Sequence, residues 1–106
     1  MRLSDKQQQG IIQAVEAFIE ASASLYLFGS RTKDHLKGGD IDLLLITSQA
    51  KAVVNLRSKK HLICLAIQNR IGEQKIDLKI ALETDQDSDA FLQAIMPTSI
   101  LLKKWK

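Results

Sequence analysis

Two short apolar runs separated by a polar segment constrain this chain more than any other feature. The first run, residues 25–28, ends in Gly29-Ser30, and the second run, residues 43–46, follows two aspartates that stand two positions apart. Short apolar runs bounded by turn residues are typical of buried β-strands. The segment therefore predicts two strands, with polar residues at the end of the first and at the start of the second.

The rest of the chain predicts an α-β-α-β-α-β-α order in a single domain spanning residues 1–106. Ser4 and Gln7 form a capping-box pair before the first helix, and residues 75–82 alternate apolar and polar side chains as a third strand does. Helices are expected at about 5–21, 31–36 and 51–70 and around 91–95, followed by an apolar tail at 100–105. This order predicts a small α/β (α+β) fold, with a three-stranded mixed sheet flanked by about four helices.

Composition indicates an ordinary folded protein and excludes several classes. Hydrophobic residues make up 45% of the chain, and no apolar run approaches the roughly 18 residues of a membrane span. The first residues lack the features of a secretory signal, and Cys64 is the only cysteine, so no intrachain disulfide can form. We expect a cytoplasmic protein. The net charge of +3 is mild and aromatic residues are only 5%, so nucleic acid is not expected as the main partner.

The turn after the first strand predicts an anion site. A strand that ends in glycine and turns into a helix presents backbone N–H groups and the positive end of the helix dipole. Gly29 would let a phosphate approach the backbone, Ser30 would add a hydroxyl donor, and Arg31 and Lys33 would add positive charge. Gly39 belongs to the glycine pair that ends the short helix, and we assign it to the same nucleotide-binding set. Similar turns occur in many α/β folds, so this feature alone is weak evidence.

Asp40 and Asp42 predict a metal site at the start of the second strand. They are two residues apart on a strand, so both carboxylates point to the same side. Two adjacent carboxylates repel, and one takes up a proton unless a cation holds both. Mg²⁺ suits such a pair because it binds through one or two carboxylates together with substrate phosphates. A pair of solvated acids at a strand edge is the alternative interpretation.

Asp77 is the third candidate carboxylate. It is the only acid on the third strand, and it could bind a second metal ion or take the proton of an attacking hydroxyl group. Lys75 and Lys79 flank it on the same face of the strand. An exposed charged surface is therefore the alternative here.

Taken together, Gly29-Ser30, a nine-residue spacer, Asp40-Ile41-Asp42 and a later strand bearing Asp77 resemble the nucleotidyltransferase superfamily of DNA polymerase β. The likeness is greatest to its small prokaryotic members, the minimal nucleotidyltransferases. The matching signature covers residues 25–45 and 75–80, and the expected element order extends the resemblance over nearly the whole chain.

The resemblance implies a role for each of these residues. Ser30, with the backbone of Gly29, would bind the triphosphate tail of a nucleotide, and Arg31 would neutralise it. Asp40 and Asp42 would coordinate one or two Mg²⁺ ions. Asp77 would complete the carboxylate triad and help to activate an acceptor hydroxyl. That hydroxyl would attack the α-phosphorus in line, receive a nucleoside monophosphate (AMP from ATP is the usual case) and release pyrophosphate.

The resemblance also implies a partner. Larger members of the superfamily carry an extra domain that binds the acceptor, and none is expected in these 106 residues. We therefore expect an acceptor that is small and bound elsewhere, or one that a partner protein or an RNA presents to this chain. The partner implied by the prokaryotic members is a helical HEPN-type subunit, in pairs that resemble toxin–antitoxin modules. In such pairs the nucleotidyltransferase silences the toxin by adenylylation or by binding. There are two alternatives: a regulator that acts by binding, and a pseudoenzyme that binds nucleotide without transfer. We also expect that the chain can form a homodimer.

Overall fold

The computed structural model describes residues 3–32 and 39–106, except for the side chain of Ser30. The described residues form four α-helices and four strands: α1 (Asp5–Glu16), β1 (Ala23–Phe28), β2 (Ile41–Thr47), α2 (Ala50–Ser58), α3 (Lys60–Ile71), β3 (Ile76–Leu82), α4 (Ala90–Ile95) and β4 (Ile100–Trp105). Short 3₁₀ turns occur at Gly29–Thr32, Glu83–Asp87 and Met96–Thr98. None of the helices in these two segments has the length and apolar character needed to cross a bilayer.

The strands form one mixed sheet in the order β3-β2-β1-β4. β1 pairs antiparallel with both β2 and β4, whereas β2 and β3 run parallel. The mixed character of the sheet is confirmed, but the expected number of three strands is wrong. Without β4, one edge of β1 would expose a row of unpaired backbone N–H and C=O groups, and the segment predicted as an apolar tail supplies their partners. Trp105 anchors its end by donating from Nε1 to Oε1 of Glu16 at 2.9 Å.

The helices differ from the sequence pattern mainly at their ends. The capping box of α1 is confirmed, because Gln7 N donates to Ser4 Oγ and Ser4 N donates to Gln7 Oε1, both at 3.0 Å. The single helix predicted at 51–70 is two helices, since Lys59 has φ −107° and ψ 11° and breaks the helical path between α2 and α3. Most of the short helix predicted at 31–36 lies outside the described residues.

The two faces of the sheet are covered unequally. Helices α1, α2 and α3 pack on one face around the larger cluster of buried residues, which includes Leu43 and Leu78. The other face holds a smaller cluster beneath the six-residue helix α4, including Leu44 and Leu92. Side chains alternate along a strand, so every second residue of β2 and β3 points to this less covered face, and the candidate site lies there.

Candidate functional site

Asp42 and Asp77 stand side by side on neighbouring strands. They are register partners in the parallel β2–β3 pair. Their neighbours Ile41, Leu43 and Leu78 all belong to the cluster beneath the three helices. Because side chains alternate, both aspartates point to the opposite face, the one that α4 covers only in part. Adjacent strands are about 4.8 Å apart, so the structure brings these two carboxylates together.

Asp40 lies immediately before β2, close to the beginning of β3. Its Oδ2 is 3.7 Å from Nζ of Lys75, and N–H of Ile41 donates to the carbonyl oxygen of Lys75 at 3.0 Å. Lys75 is exposed and Asp40 is partly exposed, so this ion pair contributes little to stability. The backbone hydrogen bond from Ile41 joins the start of β2 to the start of β3.

The electrostatics of Asp42 indicate that the three carboxylates act on one another. Its pKa is raised first by burial, then by the negative charge of Asp77 and then by that of Asp40. A divalent cation would remove this repulsion, and carboxylate oxygens are the ligands that Mg²⁺ prefers. Within the described residues, no three Asp, Glu, His or Cys side chains stand close enough to form a ready-made metal site. The predicted triad of Asp40, Asp42 and Asp77 is therefore not a complete metal site by itself, whereas paired carboxylates are a donor type that Mg²⁺ uses together with substrate phosphates.

Gly29 connects the turn after β1 directly to this carboxylate pair. It has φ +79°, a conformation that costs a residue with a side chain appreciable energy. A Cβ atom at this position would collide with Oδ2 of Asp42 and lie 3.1 Å from its Cγ. Thr32 closes the turn by donating from Oγ1 to the carbonyl oxygen of Gly29 at 2.7 Å. A phosphate seated on this turn would therefore lie next to the carboxylate of Asp42.

Arg31 holds together the three segments that surround the carboxylates. Its guanidinium donates to Oε1 of Gln74 at 3.1 Å and makes a longer contact of 3.5 Å with the carbonyl oxygen of Gly39. Gly39 has φ +87°, which suits a glycine at the sharp entry to β2. The sequence predicts a role for Arg31 in neutralising phosphate, and the structure adds this scaffolding contact. Gln74 was missed, because a single glutamine in a loop carries no pattern. Lys33 lies outside the described residues.

An aromatic pair lies beside the carboxylates on the same face. Phe28 is the register partner of Asp42 across β1 and β2, and its ring is 5.7 Å from that of Phe91 on α4, at 85°. Nζ of Lys79 is 4.8 Å from the centre of the Phe91 ring. Sequence reasoning missed these rings. One indication of this surrounding was present in the sequence: the two-residue alternation of β3 places Lys79 on the same face as Asp77.

Two aspartates in the acidic run at residues 83–89 accept hydrogen bonds from backbone N–H groups. Oδ1 of Asp89 accepts from N–H of Phe91 at 2.8 Å and from N–H of Leu92 at 3.2 Å, so Asp89 caps α4. Oδ2 of Asp85 accepts from N–H of Leu82 at 3.4 Å. Helix capping by Asp89 thus accounts for part of the run.

Comparison with known proteins gives a family match. Residues 9–93 match the family model described as nucleotidyltransferase domain. The chain is also similar to a solved structure, a "putative nucleotidyltransferase" from Sulfolobus solfataricus, at 18% identity over 98% of this chain and 92% of that one, with a TM-score of 0.49. No curated protein matches the sequence.

Proposed function

Because this chain belongs to the nucleotidyltransferase domain family, we propose that it transfers a nucleoside monophosphate from a nucleoside triphosphate, with ATP preferred, to a hydroxyl acceptor and releases pyrophosphate. The observation that carries the proposal is the in-register pair of Asp42 and Asp77, with Gly29 packed against the carboxylate of Asp42. We place this activity in the cytoplasm.

The order of the strands supports a proposed arrangement of the reactants across the sheet. Gly29 follows β1, Asp42 lies on the central β2 and Asp77 lies on the edge strand β3. The triphosphate tail would bind the backbone N–H groups of the turn that begins at Gly29, with Ser30 as a further donor. The α-phosphoryl group would then lie over Asp42, and the acceptor hydroxyl would approach from the side of Asp77.

Each group has a separate task in this arrangement. Asp40 and Asp42 would hold one or two Mg²⁺ ions, and Asp77 would share in holding them. When bound, Mg²⁺ supplies the positive charge that stabilises the phosphoryl oxygens. The Asp77 carboxylate would accept the proton of the acceptor hydroxyl, while Arg31 keeps the turn, Gly39 and Gln74 in place. Transfer would therefore depend on positioning and charge more than on covalent chemistry by the protein.

We further propose that a partner presents the acceptor. The support is the sequence resemblance to minimal nucleotidyltransferases, which implies a helical HEPN-type protein; an RNA hydroxyl is the other source. Digesting the labelled product with protease or with ribonuclease would tell these two acceptors apart.

The test is transfer of label from α-³²P-ATP, with Mg²⁺, to the components of a lysate from the native host. Asp42→Asn should abolish labelling, and Asp77→Asn should lower its rate by about 10²- to 10⁴-fold because a general base is lost. Asp87→Asn is the matched control, since this aspartate is exposed on the acidic run, and it should leave the rate unchanged. Equal labelling by the Asp42 variant would show that the carboxylates are assigned wrongly. Tight ATP binding without transfer to any component would favour a regulator or a pseudoenzyme.

A further inference from the structure

Phe91 is an exposed aromatic ring held directly beside the proposed reaction centre. Its contacts, Phe28 on β1 and Lys79 on β3, lie on either side of β2. Phe28 is the register partner of Asp42, and Lys79 is the register partner of Leu44. The ring therefore lies above β2, about one residue pair further along the strand than the carboxylates.

The Phe91 side chain is only partly buried. The next residue of α4, Leu92, is fully buried in the smaller cluster, whereas 43% of Phe91 is exposed. Two contacts nevertheless fix its orientation: the perpendicular Phe28 ring and the ammonium group of Lys79, which makes a cation–π interaction. An aromatic surface that is both exposed and held in place loses little freedom when a flat ligand stacks on it.

The geometry of phosphoryl transfer directs the nucleoside towards this ring. In an in-line displacement, the attacking and leaving oxygens lie on opposite sides of the phosphorus. If pyrophosphate leaves on the side of Gly29 and the acceptor arrives on the side of Asp77, that line runs across the strands. The nucleoside is a third substituent of the same phosphorus, so it projects roughly at right angles to the line. One of the directions at right angles to this line runs along β2, over Leu44, to Phe91.

The segment before Phe91 is acidic. Four acids, Glu83, Asp85, Asp87 and Asp89, precede Phe91 with no basic residue among them. A nucleobase carries no charge and offers a π-face, so these carboxylates would not repel it. Lys79 lies on the other side, two residues from Asp77 on the same strand face.

From this juxtaposition we propose that Phe91 is the stacking platform for the base of the bound nucleotide and that Lys79 positions its ring. This inference rests on the proposed function and adds to it the binding position of the nucleobase. Stacking on an aromatic side chain accepts any base, so the platform contributes affinity for a nucleoside without selecting adenine.

The test compares a triphosphate ligand that carries a nucleoside with one that lacks it, measured by calorimetry with Mg²⁺ present. One is α,β-methylene-ATP, which cannot transfer its nucleotide, and the other is inorganic tripolyphosphate. Phe91→Ala should weaken binding of the ATP analogue about tenfold, in line with the loss of one stacked base, and leave tripolyphosphate unchanged. Phe91→Trp should retain the affinity for the analogue. Leu65→Ala is the matched control, because Leu65 is similarly exposed on α3, beneath the other face.

The outcomes separate this inference from the proposed function. If tripolyphosphate binds and Phe91→Ala leaves the analogue unaffected, the platform is wrong and the phosphate site stands. Equal weakening of both ligands by Phe91→Ala would mean that the ring only supports the fold, and this also overturns the platform. If the wild-type protein binds neither ligand, the proposed function fails and the platform fails with it.

Discussion

Replacing either member of the Asp42–Asp77 pair by asparagine should stabilise the metal-free protein, although Asp42→Asn abolishes transfer and Asp77→Asn slows it. The two carboxylates are register partners on adjacent strands, and the pKa of Asp42 is raised by burial and by its acidic neighbours. In the absence of a cation, the folded state must therefore hold like charges together. Asparagine keeps the shape of aspartate and removes the charge.

The size of the effect follows from the separation of the charges. Two unit charges about 5 Å apart interact by about 0.8 kcal/mol at the dielectric constant of water. We use the water value because the side chain of Asp77 is exposed to solvent. For a domain of this size, such a change corresponds to a rise in melting temperature of about 3–6 °C.

The direction of the pH dependence follows from the raised pKa. A carboxyl whose pKa is higher in the folded than in the unfolded protein binds its proton more tightly when folded. The wild-type protein therefore loses stability as the pH rises from the ordinary value of 3.8 through the raised pKa of Asp42. Asp42→Asn removes this loss, so its advantage should be present at pH 7 and low salt and should disappear near pH 3.

A double-mutant cycle gives the decisive measurement. Thermal unfolding of the wild type, Asp42→Asn, Asp77→Asn and the double variant is followed in the presence of a chelator. Once one charge is gone, removing the other relieves no mutual repulsion. The double variant should therefore gain less stability than the sum of the gains of the two single variants. Mg²⁺ with tripolyphosphate should stabilise the wild type and have little effect on the double variant. Additive gains, or a lower melting temperature for Asp42→Asn at pH 7, would refute the reasoning.

Further substitutions and one thiol reaction test other parts of the protein. Gly29→Ala should lower the free energy of unfolding by about 2 kcal/mol and abolish transfer, because a side chain there meets Asp42 and strains the backbone. Adding Asp42→Ala should restore part of the stability, and thermal unfolding measures both effects. Arg31→Lys should lower the free energy of unfolding by about 1 kcal/mol, because the contacts with Gln74 and Gly39 are lost. Gln74→Ala should lower it by less. Burial raises the pKa of Cys64, so at pH 8 its thiol should react with a disulfide reagent at least about threefold more slowly than free cysteine; equal rates would contradict its burial.

The sequence predicted the part of the fold that periodicity controls. The apolar runs at 25–28 and 43–46 lie in β1 and β2, and the alternation at 75–82 matches β3. The same alternation carries the site, because a two-residue period fixes which strand residues share a face. Asp42 and Asp77 could therefore be assigned to their strands from sequence. Their meeting on one face required the register, which only the tertiary structure supplies.

Features that depend on distant contacts could not be predicted in this way. The strand β4 contains two consecutive lysines, Lys103 and Lys104. It forms because it pairs with the otherwise open edge of β1. The break at Lys59 has no glycine or proline to mark it. The contact between Arg31 and Gln74 joins residues 43 positions apart, and the Phe28–Phe91 pair depends on where α4 packs. None of these has a local sequence signal.

The core of the protein also determines the geometry of its candidate site. Parallel pairing places Ile41 beside Ile76 and Leu43 beside Leu78, on the face beneath the three helices. A slip of β3 by one residue would turn Asp77 into that apolar layer and Leu78 towards the less covered face. Burying one unpaired carboxylate costs several kcal/mol, so packing strongly disfavours that register. The apolar residues on either side of each aspartate thus keep the carboxylates of Asp42 and Asp77 together even while they repel each other.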